Sequence, residues 1–303
     1  MKDYSHDPAA EMKMKWLSVS MPRSSDDVEA EINSLNPRRY RRKIFEVPAP
    51  QLGDLEEDLS READEKIRTL AFWRSYRLKN AYVKEHIGDR YRTCYEDWDK
   101  QRREFNANED ECERAKNAKY DNEYAEQVAK LRSCLAGEDD CVQECIDRVV
   151  AGLDVPFSSD LTLDVHRDSA ELIIFKAHLP SIESFPKDGP VALKSGAIKI
   201  KPKTQKRLRE EYATYLFSLV SYVSARLMDA SPMVSGIIGS AYAKRMNKES
   251  SLVDECLFSG IFEREAVCTA LSDGTDAEEF CLSSTHRCNM TKTKIFKAVK
   301  PLQ

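Results

Sequence analysis

The stretch Lys203–Asp229, KTQKRLREEYATYLFSLVSYVSARLMD, decides the fold. Leu208, Tyr212, Tyr215, Leu216, Leu219, Tyr222, Val223 and Leu227 recur at intervals of three and four. That spacing puts them on one face of a helix, wide enough to cover a sheet. Pro202 and Thr204 mark its start, because Pro cannot continue a helix backwards and a Thr oxygen can accept from orphan N–H groups. Ser231 and Pro232 mark its end. Strand-like runs lie on both sides, so the C-terminal half is expected to pack around this helix.

Upstream, Leu161–His166 alternates apolar and polar residues and reads as a half-buried strand. Asp168-Ser169 is a turn, and Glu171–Leu179 is a second strand with Ile173, Phe175 and Ala177 on one side; the two read as a hairpin. Pro180–Pro190 is a loop, and Ala197–Lys201 alternates as a third strand. Downstream, Met233–Met246 and Ser251–Glu263 are strands joined by a turn at Asn247–Ser250. Gly236, Gly239 and Gly260 within them mark bulges or close backbone approach. Asp276–Cys281 is a short helix, and Ile295–Leu302 returns to the core. The order β-β-β-α-β-β predicts an α+β fold: an antiparallel sheet covered by one long helix.

The N-terminal half differs in character. Residues 1–53 read as an extended arm and connector, residues 54–152 as a helical, coiled-coil region, and residues 153–303 as the α+β domain. Leu55, Leu59, Ala63, Ile67 and Leu70 fall at helical spacing. Gly88 interrupts a run otherwise free of Gly and Pro, as a hairpin tip or a kink. Between Asp89 and Ala136 the two ends are apolar and the centre, Asn106–Asn122, is nearly all polar, which suits a coiled-coil arm carrying its contacts at the ends. Gly137–Asp140 is a turn, and Asp140–Ala151 is a short helix closed by Gly152.

Composition narrows the function. Of 303 residues, 33% are charged and 41% hydrophobic, and the net charge of −5 gives no global attraction to nucleic acid. No run approaches the roughly 18 apolar residues of a membrane span, and the first residues carry no apolar signal core, so a cytoplasmic protein away from the membrane is expected. The nine cysteines are odd in number and scattered, and are expected as free thiols. Cys134, Cys141 and Cys145 share a helical stripe. Neither they nor Cys268, Cys281, His286 and Cys288 form the close C-x2-C pair of a zinc module, so no metal and no cofactor is expected.

Three groups carry candidate chemistry. Asp164, His166, Lys176 and His178 crowd one hairpin, where coinciding faces would make an acid–base cluster; the alternative is the solvated face of an edge hairpin. The acid-x-Lys triplets, Glu11–Lys13 and Asp64–Lys66, lie on no predicted strand, against a restriction-type nuclease centre. Lys194, Lys199, Lys201, Lys203, Lys206, Arg207 and Arg209 crowd a strand and the first turn of the central helix. They read either as a phosphate site or as lysines that keep an edge strand from pairing. Arg38, Arg39, Arg41, Arg42 and Lys43 surround Tyr40, a pattern that grips phosphates and stacks a base, or is simply solvated.

The segment VPFSSDLTLDVHRDSAELIIFKAHLPSIESFP (residues 155–186), with its Leu179-Pro180-Ser181-Ile182-Glu183-Ser184 loop, resembles a segment of uncharacterised bacterial proteins found beside Mrr-type restriction endonuclease domains. The resemblance runs over roughly residues 90–303, to the ending Phe296-Lys297-Ala298-Val299-Lys300-Pro301-Leu302, and departs from the pattern at Lys176 and His178. It brings no catalytic residues. It implies a non-catalytic accessory or recognition module of a restriction or phage-defence system, working through protein-partner or phosphate-backbone contacts. A metal-dependent nuclease or hydrolase using the 164–178 hairpin and a structural coiled-coil dimer are the alternatives. A protein partner or self-association through the helical arm is expected, with nucleic acid admitted as a ligand.

Overall fold

The computed structural model describes residues 7–67, 72–192, 198–246 and 251–303. Its elements begin with helices α1 (Pro8–Leu17), α2 (Ser25–Ser34), α3 (Leu52–Lys66), α4 (Phe72–Ala136) and α5 (Asp139–Ala151). Strands β1 (Thr162–Arg167), β2 (Leu172–Leu179), β3 (Asp188–Ala192) and β4 (Ile198–Pro202) come next, then helix α6 (Gln205–Met228). Strands β5 (Gly236–Met246) and β6 (Leu252–Glu263), helices α7 (Arg264–Asp273) and α8 (Ala277–Ser283), and strands β7 (Thr285–Met290) and β8 (Phe296–Lys297) complete the chain. The chain divides into two compact units, Met1–Leu35 with Gln127–Gln303, and Asn36–Glu126.

In the first unit, α6 is the centre of the core. The Thr204 hydroxyl accepts from the Arg207 N–H at 3.2 Å and caps its start. Arg264 closes its end by donating to the carbonyls of Met228 and Ser231, both at 2.6 Å. Of the residues on the expected face, only Tyr222 stays partly exposed. Phe217, Val220 and Ser224, which lie off that face, are fully buried as well. A helix covered all round needs a second layer, and α1 supplies it. Met12 and Trp16 are fully buried, and Trp16 stacks on Phe280 at 5.3 Å and donates to the Thr275 carbonyl at 2.9 Å.

Residues 8–17 and 25–34 are therefore helices, where an extended arm was expected. Asp7 accepts from the Ala9 N–H at 3.1 Å with Pro8 in the first turn, and Ser24 and Asp27 form a reciprocal capping box. Helices this short gain little by themselves; burial of one face against α6 stabilises α1.

The main sheet has the order β1-β2-β5-β6-β7-β8, and β3 and β4 form a separate two-stranded sheet. The fold class is α+β, but the sheet is mixed rather than wholly antiparallel, because β2 and β5 run parallel, with Phe175 opposite Gly239. The reason is the connection. A helix of 24 residues lies between the two strands, and a chain that leaves a strand and returns along a helix re-enters the sheet in the original direction. The expected third strand is β4, whose Ala197 lies outside the described residues; it pairs with β3 and stays out of the main sheet. The expected turn at 247–250 also lies outside the described residues. Gly239 is a site of close approach: a Cβ there would sit 2.6 Å from the Phe175 ring. The ladder slips between Ala241 and Tyr242.

The second unit is built differently. Gly88 lies inside α4, so neither it nor the residues near it form a hairpin tip. Instead α3 packs back on the start of α4: Glu62 pairs with Lys66 of its own helix and with Arg90 of α4 at 2.8 Å, and Asp64 pairs with Lys79. The polar centre of α4 is a docking track. Residues 36–51 run along it without regular structure, held by Arg39–Asp121 at 2.8 Å, Arg42–Asp110 at 2.6 Å and the Lys43 N–H on Glu109 at 2.9 Å. Phe45 packs on Trp98 and Phe105, and the Trp98 indole donates to the Val47 carbonyl at 2.8 Å.

No helix among the described residues is long and apolar enough to cross a membrane. The free-thiol expectation fails at one place. Gly137, at φ +70°, folds α5 back on the end of α4, and Cys134 and Cys141, with Cα atoms 5.6 Å apart, are joined as a disulfide.

Candidate functional site

The hairpin residues Asp164, Lys176 and His178 do share the outer face of the sheet. Asp164 lies opposite Lys176, and His178 opposite Thr162. His166 lies opposite Ile174, nearer the other end of the hairpin. The Nε2 of His178 faces an Asp164 oxygen at 3.3 Å and its Nδ1 faces an Asp254 oxygen at 3.8 Å. Its ring stacks on Tyr242 of β5, with centroids 5.4 Å apart. Tyr242 and Asp254 were not legible beforehand, because only the parallel β2–β5 pairing brings them beside the hairpin.

Each ring nitrogen of His178 is turned toward a different carboxylate, the nearer contact on Asp164 and the farther, on Asp254, longer than a hydrogen bond. The arrangement is a polar bridge from β1 to β6 across the open face.

The basic cluster divides into three parts. Lys203 donates to Glu211 at 2.6 Å with its side chain 3% exposed, and Arg207 binds the other oxygen of Glu211 at 3.0 Å and the Pro190 carbonyl at 3.4 Å. Those two cations hold the β3–β4 hairpin against the start of α6. Lys206 pairs with Glu210 at 3.7 Å. Lys199 and Lys201 are exposed on β4, and Lys194 lies outside the described residues. Among the described residues of the cluster, Arg209 lines a cleft.

That cleft, of about 600 Å³, is walled by the Ser181–Glu183 turn after β2, by Arg209 and Tyr212 of α6, by Ala243–Met246 at the end of β5, and by Lys294–Phe296. Four of its residues are cationic, Arg209, Lys244, Arg245 and Lys294, against one carboxylate, Glu183. Arg245 leans on Glu255 at 3.5 Å and donates to the Phe296 carbonyl at 2.8 Å, and Lys294 pairs with Glu278. Among the described residues, no carboxylate lies within ion-pairing distance of Arg209 or Lys244. Burial pushes the Tyr212 phenol up to about 12, so it remains a protonated donor in the cleft wall. Lys244, Arg245 and Lys294 had no sequence signal: the first two lie near the end of β5, the third in the turn before β8, and the topology alone brings them to one cleft.

Much of the Arg38–Lys43 cluster is engaged within its own unit, and Arg41 stays exposed. Arg39 and Arg42 are paired as described, the Tyr40 hydroxyl donates to Glu109 at 3.1 Å, and the Lys116 ammonium covers its ring at 4.2 Å from the centroid. Tyr40 therefore has one ring face and its hydroxyl engaged within the unit.

Comparison with protein-family models, with curated proteins and with solved structures found no match to this chain. The fold and the cationic cleft alone define the class: an α+β unit with a mixed six-stranded sheet, and a basic cleft at one end of it.

Proposed function

We propose that the chain is a non-catalytic recognition module that holds a phosphate-bearing ligand, a nucleic-acid strand in the first place, in the cleft beside α6. One observation carries this reading: a cleft of about 600 Å³ is lined by four cationic residues, Arg209, Lys244, Arg245 and Lys294, against a single acid, Glu183. Convergent cations of that kind recognise phosphate through charge and, at Arg209, through a planar fork of donors. The placement in a restriction or defence system rests on the sequence resemblance alone. The hydrolase alternative rests on the Asp164, Lys176 and His178 cluster on the outer face of the sheet.

The test is fluorescence anisotropy of labelled single-stranded and duplex oligonucleotides with the full chain, at two salt concentrations and with Mg²⁺. Binding should weaken with salt and leave the strand intact. Arg209→Glu with Lys244→Glu should reduce affinity about tenfold or more, while Lys199→Glu with Lys201→Glu should not match that loss. Absence of salt-sensitive binding, or binding indifferent to the cleft variants, overturns the reading. Cleavage lost in His178→Ala would support the hydrolase instead.

A further inference from the structure

The α4–α5 corner gathers three sulfurs that the cleft does not use. Cys134 stands in the last turn of α4, and Cys141 and Cys145 stand one turn apart on α5. The ligand atoms of all three lie within 4.8 Å of one another, and among the described residues they form the one such group of three. The Cys134 and Cys145 sulfurs are 3.6 Å apart. Two thiolates on one tetrahedral zinc, at about 2.3 Å each, stand roughly 3.8 Å apart. Cys145 is 7% exposed, and the other two are half-buried.

The corner is held from several directions. Arg167 donates to the Gly137 carbonyl at 2.7 Å and pairs with Asp139 at 2.5 Å. Ser231 donates to the Cys134 carbonyl at 2.8 Å, and Lys130 of α4 pairs with Glu144 of α5 at 2.8 Å. A ligand set on such braced elements is preorganised. The surrounding segment, residues 134–164, carries eight acidic residues and one basic residue, which favours a cation over an anion there.

We infer that Cys134, Cys141 and Cys145 form a three-thiolate site for a soft divalent cation of the zinc class, alternating with the Cys134–Cys141 disulfide. Two equivalents of a monothiol reductant open the disulfide and become a disulfide themselves. The three thiols then release three protons to solvent as their thiolates bind one Zn²⁺, and the fourth position is left to water or an outside ligand. The disulfide removes two of the three ligands, so oxidation empties the site. Metal and disulfide therefore compete for the same sulfurs.

The full chain, reduced with a phosphine and freed of metal, is titrated with Cd²⁺ while the ultraviolet thiolate-to-cadmium charge-transfer absorption is followed. One equivalent should saturate the band. Cys145→Ser should weaken binding about tenfold or more, and the triple variant Cys134→Ser/Cys141→Ser/Cys145→Ser should abolish the band. Cys112→Ser, at an exposed cysteine outside the group, should retain it. Circular dichroism of each variant separates loss of ligand from loss of fold. Treatment of the loaded protein with a thiol oxidant should release the metal as the 134–141 bridge forms, read by mass-spectrometric disulfide mapping. A band that survives in the triple variant, or a reduced protein that takes up no Cd²⁺, overturns the site.

Discussion

Glu211 shows how a single residue is fixed by what it faces. It is 9% exposed and receives both Lys203 and Arg207. Removing one partner of such a group leaves a buried charge unpaired, which costs more than the pair itself contributes. Glu211→Ala should destabilise the first unit by about 3 kcal/mol in urea unfolding. Lys203→Met together with Glu211→Leu should recover most of that loss, since the buried Lys203 charge is removed with its partner and the remaining cation, Arg207, is 39% exposed and can be hydrated. Cysteines sort by the same logic. Burial pushes the Cys281 thiol up to about 12 and the Cys288 thiol up to about 11, whereas Cys112 is exposed. Alkylation of the native chain at about pH 8.5 should therefore label Cys112 and leave Cys281 and Cys288 unlabelled until denaturant is added, as peptide mapping will show.

At the scale of elements, the α3–α4 contact is an ion-pair junction centred on Glu62. The Lys66 ammonium, with the Tyr82 hydroxyl next, holds the Glu62 carboxyl down to about 2. A folded-state value below the unfolded one means that the contribution is complete above the ordinary carboxylate range. It is lost as pH falls from about 4.3 toward 2. Hydrogen-exchange protection of α3 should fall in that window, after correction for intrinsic rates, and Glu62→Gln should flatten the dependence. Protection of α3 unchanged between pH 5 and pH 2, each about, would refute the junction.

The elements also show what could be read in advance. The α6 face was legible because its period is local, and so was the β1–β2 hairpin. The α1 start was legible in principle, since Asp7-Pro8 is a cap followed by Pro and Ala9, Met12 and Trp16 fall on one face. A short run between Pro8 and Pro22 nevertheless looks like a loop when its partner helix is unknown. The parallel β2–β5 pair was hidden in a different way. Strand order is non-local, and a helix between two strands had to be taken as a crossover rather than as a cover. The cleft depended on that pairing, so Arg209 could be picked out with its basic neighbours while Lys244, Arg245 and Lys294 could not.

The whole molecule joins two units stabilised by different physics. The contiguous apolar core, from Ala9 to Phe296, belongs to the first unit. Among its described residues the second unit buries Leu59 and Ala63 fully, packs Phe45 on Trp98 and Phe105, and carries many charged contacts along α4, most of them between side chains a third or more exposed. Exposed ion pairs are individually weak and are screened within about 3 Å at 1 M salt, whereas apolar burial is strengthened or unaffected. The two units should therefore respond oppositely to ionic strength. Raising salt from about 0.05 M to about 1 M should strip hydrogen-exchange protection from the Lys43 amide and its neighbours along the 36–47 strap. The amides of α6 and β5 should be as protected as before or more so. Glu109→Ala, which removes the acceptor shared by the Tyr40 hydroxyl and the Lys43 N–H, should reproduce the loss of strap protection at low salt. A strap that keeps its protection in high salt would mean that Phe45, packed between Trp98 and Phe105, holds it instead, and Phe45→Ala would then be the variant that frees it.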